Sequence, residues 1–206
     1  MSVTTNTPFG FRYYKSLLGA DTQEVLNTYI WNDTTAGIYE GDPVALAAAT
    51  VNAPVNGYKR ITIAPADGST VGILGIAKSV KYIDAQGNPR FTNFFAANTP
   101  IKAGTVVEVL VSDDPNTIYM VQAAAAIPNN RMSYNTTIVN MGTGDASGQS
   151  QAAITAGGLA TTATLPIKIV GYVAPEKFPG NVNTAAFPVM LVKLNNHVYG
   201  SAVAGF

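Results

Sequence analysis

The chain has 206 residues, with twelve Lys and Arg balanced by twelve Asp and Glu, one His and no Cys. Only 12% of it is charged, about half the ~25% of an ordinary soluble domain, and no basic run exceeds Lys59-Arg60, which excludes a nucleic-acid binder working through clustered cations. Catalysis and metal binding draw mainly on His, Cys and grouped carboxylates, so the raw material for either is thin.

The opening MSVTTNTPFG has neither a basic nor an apolar signal region, and no secretory leader is expected. No run approaches the ~18 apolar residues of a membrane span, and the missing Cys fits synthesis in a reducing cytoplasm. The segment Phe9-Gly10-Phe11-Arg12-Tyr13-Tyr14-Lys15 sets four aromatics in six positions ahead of any periodic element. Residues 1–25 are therefore read as an extended N-terminal arm whose rings need cover from a neighbouring subunit. The alternative is a first strand with its alternation blurred by Gly10.

From Glu24 onward, short strand patterns alternate with turn chemistry. Leu26 to Trp31 alternates as a half-buried strand, and Asn32 to Gly37 supplies a turn. Tyr39-Glu40-Gly41-Asp42-Pro43 makes a tight corner before Val44-Ala45-Leu46, with Pro43 expected at a strand start or edge. Tyr58–Ile63 and Val71–Ile83 read as two strands joined by the turn Pro65 to Ser69, and Gly72 and Gly75 mark a bulge or the sharp bend of a small barrel. Gly104–Val111 and Thr117–Gln122 flank the turn Ser112 to Asn116, and the outward Glu108 favours antiparallel pairing with one wet face. Between 123 and 165 the pattern loosens into a loop insertion. Met141 to Ser150 is flexible by composition, and Ser150 to Ala156 is read as one or two helical turns. Strands return at Pro166–Val173 and Phe187–Leu194. With no sustained helical period anywhere, an all-β fold follows: an antiparallel β-barrel or sandwich spanning 26–206, preceded by the arm.

Sparse charge over a surface rich in Thr, Asn, Ser and Gln lowers the cost of desolvation and resembles the cores of protein interfaces. His197, in Asn195-Asn196-His197-Val198-Tyr199-Gly200, lacks an accompanying nucleophile elbow and reads as a turn or strand-end residue. The carboxylate pairs Asp113-Asp114 and Glu40-x-Asp42 each adjoin a proline in a turn, and Asp84 to Asn88 lacks the spacing of a calcium loop. Gly72-x-x-Gly75 and Gly142-x-Gly144 lack the context of a phosphate cradle. No enzymatic activity and no cofactor or metal are expected.

Several segments together resemble the head decoration, or cement, proteins of tailed bacteriophages: Pro8-Phe-Gly-Phe-Arg12, Tyr39-Glu-Gly-Asp-Pro43, Val71-Gly-Ile-Leu-Gly-Ile-Ala77, Thr162-Ala-Thr-Leu-Pro166, and Asn195 to Gly200 followed by Ala204-Gly-Phe206. One departure is Tyr13-Tyr14, where relatives often continue with Pro and Val. The resemblance implies a virion protein, made in the host cytoplasm, that binds the outside of an icosahedral shell, bridges major capsid subunits and forms a homo-oligomer, commonly a trimer. Neither nucleic acid nor membrane is an expected partner. Phe9, Phe11, Arg12, Tyr13, Tyr14, His197, Tyr199 and Phe206 are the residues expected to contact the capsid or a neighbouring copy. A receptor- or glycan-binding accessory module and a head–tail connector part are the competing readings.

Overall fold

The computed structural model describes residues 5–18, 24–48, 54–66, 72–182 and 184–200. Its strands are β1 (Arg12–Ser16), β2 (Leu26–Trp31), β3 (Ile38–Tyr39), β4 (Pro43–Leu46), β5 (Arg60–Ile63), β6 (Ile73–Ile83), β7 (Pro89–Thr92), β8 (Phe94–Phe95), β9 (Glu108–Ser112), β10 (Thr117–Gln122), β11 (Asn135–Thr136), β12 (Ile138–Val139), β13 (Ala153–Ile154), β14 (Ile167–Tyr172) and β15 (Val189–Leu194). The one helical element among the described residues is a 3-10 turn at Asn129–Arg131, so the fold is all-β as the sequence patterns require.

Strands β4, β5, β2, β9 and β6 pair in that order, and β4 pairs again with β6, which closes a five-stranded barrel. The pairings are antiparallel except that of β2 with β5. Trp31, Val44, Ile61, Leu74, Val80 and Val109 fill the interior, and the small β3–β8 pair adds Ile38 and Phe95 to the same core. Closure leaves the barrel proper without a free edge, while β7 continues outward from β6 as the end strand of the sheet.

Pro43 is the first residue of β4, where its missing N–H is tolerated. Opposite it, the β4–β6 register slips between Val44 and Ala45, so Leu74 is an extra residue on β6. This is the bulge signalled by Gly75, and glycine is required there: a Cβ would strike the Ser112 carbonyl. The inserted residue turns Leu74 into the barrel while Ile73 and Ile76 face away from it, into a second core.

That second core lies against an antiparallel sheet ordered β1, β10, β15, β14, β11. Tyr119, Val121, Ile167, Ile169, Met190 and Val192 from this sheet pack on Ala45, Ile73 and Ile76 from the barrel wall. One wall thus serves both cores. Strands β5 and β6, expected to pair as neighbours, instead flank β4, and residues 67–69 of their expected turn lie outside the described residues. Strands β9 and β10 belong to different sheets, because the chain crosses from barrel to sheet at Asp113–Asn116.

Two further expectations are corrected. The segment read as an arm folds back into the molecule: β1 pairs with β10, Phe11 is fully buried in the second core, and Phe9 stacks on Phe178 at 6.4 Å over Val173 and Val189. The alternation was hidden by Gly10, whose φ of +72° breaks the strand before it starts. The described part of this segment packs against β10 and into the cores formed by later strands. The 123–165 insertion is likewise built in. It carries β11, β12 and β13, sends Ile127, Ile138, Ala152 and Ile154 into the second core, and has a strand where helical turns were expected after Ser150.

Because Phe11 supplies core volume and β1 covers β10, truncating Phe11 to Ala should cost about 3–5 kcal/mol and lower the urea unfolding midpoint steeply. Deleting residues 1–16 should abolish cooperative unfolding. An unchanged midpoint for Phe11→Ala would mean that the segment is an appendage after all.

Candidate functional site

The polar groups with catalytic potential are few, and the fold disperses them. The corner Tyr39–Pro43 turns Asp42 inward, where its side chain is fully buried. Its carboxylate accepts the Tyr39 N–H at 2.9 Å, the Gly142 N–H at 3.1 Å and the Ser150 hydroxyl. Among the described residues no salt bridge compensates the charge. Burial outweighs the three donors and pushes its pKa up to about 6. The backbone around it is equally engaged. Gly41 donates to the Ala77 carbonyl at 2.8 Å and accepts from the Phe11 N–H at 2.9 Å, while Ala77 donates to the Asp42 carbonyl at 2.8 Å. Gly10 and Gly41 approach so closely that a Cβ on Gly10 would lie 3.0 Å from the Gly41 Cα. The site is a structural joint with no access for a substrate.

Glu40 and Asp42 therefore do not form a facing pair. Asp113 and Asp114 diverge as well: Asp113 accepts the Tyr29 hydroxyl at 2.6 Å and both its oxygens bond the Asn27 amide, whereas Asp114 caps the Asn116 N–H at 2.9 Å. Burial, and then the bond to Asp113, raise the Tyr29 pKa. Asp33, Asp84 and Asp145 each hold a turn through hydrogen bonds to following residues, which lower their pKa values. Asp84 also meets Arg90 at 2.8 Å. Among the described residues no three His, Asp or Glu side chains gather as a metal site would require.

His197 is buried where the C-terminal segment bridges to Ile73 at the start of β6. Its Nδ1 accepts the Tyr199 N–H at 3.0 Å, so the ring proton sits on Nε2, which is buried near the Leu74 backbone without a well-formed bond. Burial lowers its pKa and keeps the ring neutral at pH 7. Among the described residues no hydroxyl bonds its ring, and the ring, expected at a contact with the capsid or a neighbouring copy, lies inside this chain's own fold.

The other expected contact residues divide similarly. Phe9 and Phe11 are core residues, consumed by this chain's own fold. Arg12, Tyr13 and Tyr14 are half-buried on the end strand β1, with the Arg12 guanidinium 5.7 Å from the Phe9 ring centre and Lys177 4.5 Å from that of Tyr14. Tyr199 is half-exposed beneath Lys59. Phe206 lies outside the described residues. Sequence reasoning missed several of the exposed apolar residues. Phe91 on β7 and Leu110 on β9 line a groove of about 660 Å³ on the outside of the barrel, and Leu17 and Leu18 follow β1. Their residue types were visible, but only the strand register places them together on the surface.

Comparison of the chain with protein-family models, with curated proteins and with solved structures finds no match in any of the three.

Asp42 gives a pH signature of definite sign. Its folded pKa of about 6 stands above the ordinary 3.8, so the folded state holds the extra proton between those values and stability falls as pH rises through that window. From pH 4.5 to pH 7 this group should remove about 2 kcal/mol. In urea titrations, Asp42→Asn should flatten that decline relative to the native chain. Parallel pH profiles for the two proteins would contradict it. His197→Ala should lower the unfolding midpoint through lost packing, by about 1–3 kcal/mol.

Proposed function

We propose that this protein is a structural component of a tailed-phage particle, binding the outside of the capsid and bridging neighbouring major capsid subunits as a homo-oligomer, with the trimer the form that the family resemblance implies. The observation that carries this reading is how the side chains are spent. Asp33, Asp84, Asp114 and Asp145 hold turns, Asp42 and Asp113 are buried in hydrogen bonds, and the one His is enclosed. Among the large apolar side chains, Phe91 at 74% and Leu18 at 69% exposure face solvent. Exposed apolar features of this kind mark interaction surfaces, and a chain with 12% charge desolvates such surfaces at low cost.

A rigid all-β body suits a part that clamps subunits in fixed geometry. Contacts shared among several copies and the shell add through avidity, so modest individual affinities suffice for lasting attachment. The half-exposed Arg12, Tyr13, Tyr14 and Tyr199 remain the contact candidates from the sequence, whereas Phe9, Phe11 and His197 act through the stability of the body that presents them.

The test is a reconstruction of purified particles of the phage that encodes the chain. Copies should follow the icosahedral lattice on the outer shell. They should stay bound as salt is raised, because screening weakens charged contacts and these are mostly uncharged. Copies confined to the portal vertex would favour a connector part, and copies confined to the tail would favour a receptor- or glycan-binding module. Either outcome, or the absence of copies, would overturn the capsid reading.

A further inference from the structure

Two exposed apolar features lie outside the hydrophobic cores. The first is concave. Strands β2, β9, β6 and β7 lie side by side, with Thr28 opposite Leu110 and Leu110 opposite Ser79, and in the next row Glu108 opposite Lys81 and Lys81 opposite Phe91. Residues directly opposite share a face of a sheet, so the rows form one surface outside the barrel. Leu110 and Phe91 rise as walls, and small Ser79 leaves room between them, giving the groove of about 660 Å³. Lys81 and Glu108 meet at 3.0 Å, which leaves their contribution to the groove without net charge.

The second feature is convex. Immediately after β1, Leu17 and Leu18 stand 51% and 69% exposed in a turn. The turn is locked. Leu17 donates its N–H to the Asn116 carbonyl at 2.9 Å, and Leu18 donates to the Oγ of the buried Ser16 at 3.2 Å. Two leucines held outward in a fixed backbone lose little freedom on docking.

We propose that the Leu17–Leu18 turn of one copy seats in the Phe91–Leu110 groove of a second copy. The groove offers apolar walls with its charges already paired, and the turn offers two uncharged apolar side chains. Knob and groove sit on different parts of the chain, one at the end of the five-stranded sheet and the other on the barrel. In a two-fold pair the two copies exchange knob for groove reciprocally; in any other arrangement the contact is heterologous, and each copy that gives a knob still has a groove to fill. Repetition closes a ring when the rotation per copy permits, and otherwise extends a chain. This inference rests on the homo-oligomer half of the proposed function and is independent of what the oligomer attaches to.

The experiment is light scattering on the full-length chain after gel filtration. The native protein should run as an oligomer. A knob variant (Leu17→Ser with Leu18→Ser) and a groove variant (Phe91→Ser with Leu110→Ser) should each collapse to the monomer mass. Mixing the two should yield a species of two chains and nothing larger, since an intact knob then meets an intact groove once. A second measurement is independent of those variants. The chain has no Cys, so a Leu18→Cys chain mixed with a Phe91→Cys chain should form a disulfide-linked dimer under mild oxidation, and neither should do so alone. A native oligomer unaffected by both variants, or a mixture without the two-chain species, would overturn this contact and leave the oligomer reading standing. A monomeric native chain would overturn both. If that monomer binds particles through Phe91 and Leu110, the groove belongs to the shell protein and the inference is wrong. Particle mapping decides the capsid reading separately.

Discussion

The molecule is organised around a buried carboxylate. Asp42 sits beyond the reach of solvent, and its three hydrogen bonds come from the corner that carries it, from the loop at Gly142 and from Ser150. An acid in such a place is costly unless every lone pair is met. Those donors fix the path of the 140–150 segment over the barrel, 100 and more residues further along the chain. The neighbouring backbone extends the same knot: Gly41 accepts from Phe11, Gly41 and Asp42 exchange bonds with Ala77, and Glu40 exchanges bonds with Gly148 and Ser150. Three distant parts of the sequence are tied at one tripeptide.

The joint matters because the two cores share a wall. Strands β4 and β6 close the barrel and also present Ala45, Ile73 and Ile76 to the second core, which the extra residue beside Gly75 makes possible. Tyr119 provides a second tie. Its ring packs edge-on to Phe11, and its hydroxyl meets the Ser112 hydroxyl at 3.0 Å, linking the five-stranded sheet to the last residue of barrel strand β9. Barrel and sheet are thereby coupled through packing and through hydrogen bonds that desolvation strengthens. Separate unfolding of either half would strip cover from the wall they share.

The all-β class, the β2, β14 and β15 strands, the corner at Pro43 and the bend at Gly75 were legible because each depends on local chemistry: alternation, a missing N–H, or the need for a residue without a Cβ. Pairing was not. Strand β5 lies parallel to β2 and antiparallel to β4, and nothing within Arg60–Ile63 specifies either partner. The first segment was misread for a related reason. Phe9-Gly-Phe11 has the composition of an interface, and only the packing of Phe11 on Tyr119 in one core and of Phe9 on Phe178, Val173 and Val189 in another makes it interior. The groove at Phe91 was illegible because Leu110, Ser79 and Phe91 are brought side by side by register, across strands separated by up to 31 residues of sequence. The carboxylates were read correctly as turn residues where their neighbours were Pro, Gly or Asn. The importance of Asp42 was missed because its partners at Gly142 and Ser150 are remote.

The distribution of charge bears on how such a body recognises anything. Acids hold turns, and several cations rest on rings instead of carboxylates: Lys177 on Tyr14, Arg131 on Tyr134, Lys59 on Tyr199. A cation over an aromatic face keeps its solubility while leaving no strong field for a distant partner to follow. Recognition then depends on shape and on apolar contact at close range, without long-range steering of the encounter. The physical demand on the chain is therefore rigidity at its contact surfaces, and the tie at Asp42, the locked turn at Leu18 and the shared barrel wall all act in that direction.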